Sequence, residues 1–216
     1  MPRFPLIPTV IVALAIAAMI ALGVWQLDRR AEKERAIAVY AQNFEKPTIA
    51  FPRIPVGDEL LFRHASAMCL EVIGWQSQGG RSRKGESGWR QIAQCRTGAE
   101  GPVLLVDVGV STDPKVKPQW GGGPITGTIT HAPDSRSLIG QWFDRRPRSL
   151  MLVADLAAPG LSATARPDLS SVPNNHLAYA VQWFLFALIA AVIYVLALRW
   201  RAKTPASDGE AGNDRT

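Results

Sequence analysis

Asn174–Asn175–His176–Leu177–Ala178–Tyr179–Ala180–Val181–Gln182–Trp183–Phe184 decides how the chain is read. Pro173 and the two asparagines mark a helix start, since an Asn side chain can accept from an orphan N–H of the first turn. From Leu177 to Leu198 no residue carries a charge. At about 1.5 Å per residue that run reaches about 33 Å, enough to cross a bilayer core. Lipid alone would select Leu, Ile and Val there, so His176 and Gln182 demand a reason.

A second apolar run, Thr9 to Leu27, lies near the amino terminus. Ala21–Leu22–Gly23 offers a small-residue cleavage site, so a signal peptide is the rival reading. The run is longer than a signal core and continues through Val24, Trp25 and Leu27, which favours a retained span. Ala13, Ala17 and Ala21 recur every fourth residue, and we expect another helix to pack on that small-residue face. Asp28 to Gln42 lacks Gly and Pro, so the helix should run on as a solvated, charged extension as far as Pro47.

Between the runs, alternating patterns predict strands. They are Ala65 to Ile73, Trp89 to Cys95, Val103 to Val110, Ile125 to Thr130 and Ser149 to Asp155, within a body of about six strands. Gln76 to Gly88 reads as a hairpin loop. Ser111 to Pro124 reads as an irregular loop, Gln141–Trp142–Phe143 as a short helix or turn, and Pro159 to Pro173 as a linker. The expected fold is therefore an α+β membrane protein: two transmembrane helices flank an antiparallel β-rich extramembrane domain. Its segments are residues 1–8, a first span 9–27, a helical extension 28–46, the domain 47–173, a second span 174–198 and a disordered tail 199–216.

Composition excludes several classes. Lys and Arg number 24 against 18 Asp and Glu, a net charge of +6. That excess is too small and scattered for a nucleic-acid footprint, and no recognition motif accompanies it. The partners expected are membrane lipid and protein. Cys69 and Cys95 show no metal-ligand spacing. They read as two small buried hydrophobes, or as a disulfide if their strands are neighbours in an oxidising compartment. We find no Gly-x-Ser-x-Gly elbow and no His-Glu-x-x-His, so an anchored enzyme is disfavoured.

Orientation follows from flanking charge. Arg199, Arg201 and Lys203 follow the second span, which puts the carboxyl terminus in the cytoplasm. Arg29, Arg30, Lys33 and Arg35 after the first span argue the other way, but acidic residues intersperse them, and a folded domain translocates largely regardless of charge. Both termini are then cytoplasmic and the domain periplasmic. In the resulting hairpin, Trp25–Gln26 meets the level of Gln182–Trp183, so a Trp interface belt with a Gln–Gln bond would explain those four residues.

A turn of about 100° per residue puts His176, Ala180, Trp183 and Ala187 on one face, with Tyr179 at its edge. Small residues beside a flat aromatic should leave a slot for a planar ligand. His176 at its mouth carries a metal-binding imidazole, whose protonated form the helix dipole disfavours. Haem iron commonly takes a histidine. The competing reading makes His176 an interfacial hydrogen-bonding residue.

Gly23–Val24–Trp25–Gln26–Leu27–Asp28–Arg29–Arg30–Ala31–Glu32–Lys33 and Asn174 to Phe184 resemble the two signature stretches of the surfeit-locus family of cytochrome c oxidase assembly factors. The resemblance implies an inner-membrane protein, here a bacterial one, that is not an enzyme. It implies that the chain binds haem a and helps its insertion into oxidase subunit I, beside other assembly factors. His176 would be the ligand to the haem iron, with Tyr179, Trp183, Trp25, Gln26 and Gln182 around it. The alternative is a scaffold that stabilises an oxidase intermediate and never touches haem. One departure stands out: Asp107–Val108–Gly109–Val110 occupies the place of the usual Arg–Gly–Trp. With His64 and His131 in the domain and Met19 deeper in the first span, the membrane segments offer no second strong axial ligand, which suits a carrier that must release its cargo.

Overall fold

A computed structural model describes residues 5–54, 56–99, 101–116, 118–134 and 148–203. The expectations for Gln141–Trp142–Phe143 and for the tail from Thr204 fall outside them. The chain divides into two units, residues 1–34 with 174–216, and residues 35–173.

The first unit is a pair of helices, each long and apolar enough to cross a membrane. Helix α1 runs over Leu6–Asn43 and helix α2 over His176–Lys203. The pair is antiparallel, because Thr9 Oγ1 meets the Tyr194 hydroxyl near one end and Gln26 meets His176 near the other. Between Leu6 and Leu27 of α1 the partly or fully covered residues are Thr9, Val12, Ile16, Met19, Gly23 and Gln26. Their alternating spacing of three and four is the seam of a left-handed helix pair. Ala13, Ala17 and Ala21, expected to form the packing face, are instead exposed. The face is chosen by Gly23, where an added Cβ would lie 2.6 Å from the Phe184 ring.

The second unit is built of β1 (Ile49–Ala50), β2 (His64–Cys69), β3 (Glu71–Arg81), β4 (Ser87–Arg96), β5 (Leu104–Ser111), β6 (Gly123–His131) and β7 (Leu150–Ala154). They hydrogen-bond in the order β1-β2-β6-β7-β5-β4-β3. β1–β2 and β5–β7 are parallel and the other neighbours antiparallel, so the sheet is mixed. β2 passes into β3 through Leu70 alone, and the Leu70 amide donates to the Arg96 carbonyl at 2.9 Å. β2, next to the β1 end of the order, and β3 at its other end are therefore one continuous strand, and the sheet closes on itself. Counting β2 and β3 as that strand, and leaving the two-residue β1 outside, gives a five-stranded Greek-key barrel of the OB type, whose closure removes most of the edge.

The expected strands are present, but most of the supposed loop Gln76 to Gly88 is strand. β3 extends to Arg81 and β4 resumes at Ser87. Residues 75–79 are exposed, and with neither side of the arm buried the alternation that announces a strand disappears. The end of α1 also departs from a purely solvated extension. Tyr40 packs with Leu61 and Phe62, and buried Asn43 donates to the Glu59 and Leu61 carbonyls.

Cys69 and Cys95 form a disulfide, with Cα atoms 5.2 Å apart. They adjoin because the β3–β4 hairpin continues past Glu71 through the Leu70–Arg96 hydrogen bond, which carries Cys69 up to Cys95. The bond lies in a core with Ala93, Leu104, Val106 and Val108. The reading as two free buried thiols is thereby corrected.

β5 is buried almost throughout, Asp107 included. Arg90 Nε donates to Asp107 Oδ2 at 2.7 Å, and Oδ1 accepts from Thr164 Oγ1 at 2.7 Å and the Gly109 amide at 3.1 Å. Burial pushes the carboxyl above the usual range, while Arg90 and the other donors pull it down. Those donors suit the carboxylate, since a protonated oxygen would give up an acceptor, and we take the pair as ionic. Gly109, with φ of +136°, would bring a Cβ within 3 Å of Leu161 and Ser162. The stretch that departs from the family pattern thus has a local packing role.

Candidate functional site

His176 opens α2, and its Nδ1 lies 2.8 Å from Gln26 Oε1. An amide oxygen only accepts, so Nδ1 carries a proton, and in the neutral ring the lone pair is then on Nε2. Among the described residues, no hydrogen bond engages Nε2. One ring nitrogen is therefore anchored to the neighbouring helix and the other is free to bind a metal. The same division of labour orients most metal-ligating histidines. Asn174, two residues earlier, holds its Oδ1 buried without a partner.

The other expected site residues separate into two groups. Trp183 is half-buried on the flank of α2 that carries His176, one heptad on, and meets Phe186 edge-on at 6.2 Å. Tyr179 is 52 % exposed and Trp25 48 %. Gln182 is exposed as well, so the expected Gln–Gln bond is replaced by the Gln26–His176 bond. The outward Trp25 ring carries the Arg29 guanidinium at 5.6 Å, a cation–π contact.

No open slot runs along the small residues of α2. Ala180 and Ala187 are 1 % and 5 % exposed, and Phe184 lies over Gly23. The helices touch where a gap was expected, because Gly23 lets α1 approach. A flat ligand on Nε2 must lie outside this seam. Phe184 and the Thr9–Tyr194 pair escape a reading of the sequence, although Gly23 opposite a bulky aromatic was the available signal.

The remaining histidines are engaged within the barrel unit. His64 bridges Thr48 Oγ1 at 2.8 Å and Asp155 Oδ2 at 2.7 Å, and His131 meets Asp58 Oδ1 at 2.8 Å. The Thr48–His64–Asp155 line ties the approach to β1 to the end of β7. Among the described residues, no group of three or more His, Cys, Asp or Glu is placed to hold a metal ion. Met19 lies seven residues from Gln26 along α1, about 10 Å away. The helix pair thus offers one imidazole as a strong ligand.

Comparison with known proteins gives concordant matches. Residues 13–188 match the model of the SURF1 family. A SURF1-like protein of Monosiga brevicollis is 22 % identical over 215 residues, covering 82 % of each chain. The family match takes in most of the first helix, every strand, and the opening turns of the second helix as far as residue 188. The chain, a two-span membrane protein with a β-rich domain, therefore belongs to the SURF1 family, an assembly-factor family linked to cytochrome c oxidase rather than a catalytic one.

Proposed function

We propose that this chain binds haem a through His176 and helps insert it into subunit I of a haem–copper cytochrome c oxidase. The observation that carries the reading is the division of the His176 ring: Nδ1 bound to Gln26, Nε2 uncommitted. The donor set fits a transient haem. His176 would supply one nitrogen to the iron, Trp183 would offer an aromatic flank, and the orphaned Asn174 oxygen would accept from a polar substituent.

The chain's own part is to bind, orient and release. Gln26 holds the imidazole through Nδ1 and leaves Nε2 uncommitted. Among the described residues the helix pair offers one imidazole and no second strong ligand, so a haem held there would be tied to the chain by a single bond. The setting proposed is a bacterial inner membrane, with the barrel in the periplasm and both termini in the cytoplasm. A buried Cys69–Cys95 disulfide supports an oxidising compartment. Arg201 and Lys203 in the last turn of α2 support a cytoplasmic carboxyl end. Subunit I, and other assembly factors with it, are the partners this role requires.

The test is complementation. In cells lacking the chain, the wild-type protein should restore the haem a content of subunit I, and His176→Ala, produced at equal level, should not. Full restoration by His176→Ala would favour a scaffold that never touches haem.

A further inference from the structure

The bond that orients His176 also bears on release. Resting on the haem reading above, we infer that Gln26 is a positioning residue that sets the tautomer of His176 and keeps its bond to haem iron weak enough for transfer. Three observations converge on it. Gln26 sits on the covered face of α1, one turn beyond Gly23, where the absent side chain lets α2 close in. Its reach to His176 is thus fixed by packing. Its Oε1 is the atom presented to Nδ1. The neighbouring cations are engaged elsewhere, Arg29 with Glu32 and the Trp25 ring, Arg30 with Glu34, so a neutral amide is what the ring meets.

The chemistry follows from the nature of that atom. An acceptor on Nδ1 fixes the proton there and presents Nε2 to a metal; without it, the ring can carry the proton on Nε2, which then cannot ligate. A carboxylate would hold the same tautomer but draw the Nδ1 proton harder, raising the basicity of Nε2 and tightening the iron bond. A neutral amide orients without that tightening. That combination suits a carrier.

The test uses full-length protein in detergent, with ¹⁵N-labelled histidine and no haem. The wild type and Gln26→Glu should show His176 protonated at Nδ1, whereas Gln26→Leu should shift to the Nε2-protonated form, with His64 and His131 as internal references. After loading with haem a, transfer to apomyoglobin should slow about 10- to 100-fold in Gln26→Glu, with a lowered midpoint potential, the size seen when such outer partners are altered. A wild-type His176 protonated at Nε2, or a Gln26→Leu protein that is less stable but unchanged in tautomer, would overturn the inference whether or not haem binds. The expected tautomers without haem uptake by the wild type would overturn the haem reading instead, and the release role with it.

Discussion

Removing the Cys69–Cys95 bond should weaken the barrel at its closure. The two cysteines are 26 residues apart in sequence. The chain-entropy relation gives about 3.5 kcal/mol for a loop of that length, between about 3 for fifteen residues and about 4.7 for a hundred. The bond lies beside the Leu70–Arg96 hydrogen bond, where one continuous strand completes the circle of pairings. Its loss should therefore loosen the β3–β4 side first. The assay is guanidinium unfolding of the full chain in mild detergent, followed by tryptophan fluorescence, for the oxidised protein, the reduced protein and Cys69→Ala/Cys95→Ala. With a slope of about 4 kcal/mol per molar for a domain this size, the midpoint should fall by about 0.9 M. Amide exchange at Leu70 should accelerate in parallel. A shift below about 0.25 M in both the reduced protein and the double variant, equivalent to about 1 kcal/mol on the same slope, would refute the reasoning.

Other perturbations probe separate parts of the molecule. Arg90→Ala leaves the carboxylate of Asp107, 0 % exposed, without its cation, and should cost about 3–5 kcal/mol in the same unfolding assay; a cost under about 1 kcal/mol would contradict an ionic pair. Burial acts to raise the Asp155 carboxyl, but hydrogen bonds from His64 and Thr126 and the charges of His64 and Arg166 hold it below its ordinary value. A folded-state pKa below the unfolded one contributes stability that is present above the unfolded value, near about pH 3.9, and is lost as pH falls through the folded one. Asp155→Asn should accordingly reduce the loss of stability below about pH 4, and an unchanged acid limb would contradict the assignment. Gly23→Leu forces the Phe184 ring aside and should lower the thermal midpoint of the helix pair, by about 1–3 kcal/mol in stability; an undiminished midpoint would mean that the helices do not touch there.

How much of the fold and site is legible in the sequence differs by element. The spans are plain, because an uncharged run of that length has few other uses. β5 announces itself through Val103 to Val110, a run that a strand buried on both sides produces. The packing face of α1 is not legible, and Ala13, Ala17 and Ala21 point to the wrong one. Almost every residue there is apolar, and lipid solvates an alanine stripe as well as it does Val12 and Ile16. What selects the face is one missing side chain at Gly23 and one specific bond from Gln26, and a hydropathy average over the span shows neither. The disulfide is undecidable in the sequence because the β3–β4 hairpin that brings Cys95 beside Cys69 runs through Gln76 to Gly88, the stretch that reads as a loop. His176 is legible as an oddity in a membrane helix. Its partner is not, because the relative axial offset of two helices is set by their contacts, and an offset of about six residues along α2 separates the expected Gln182 from the observed His176.

The most direct measurement is the haem content of the purified full-length protein, made in cells that synthesise haem a and read by absorption and haem extraction against chain concentration. The account predicts about one haem a per chain in the wild type, nearly none in His176→Ala with barrel unfolding unchanged, and wild-type content in a His64→Ala/His131→Ala control. A His176→Ala protein that keeps its full complement of haem would contradict it.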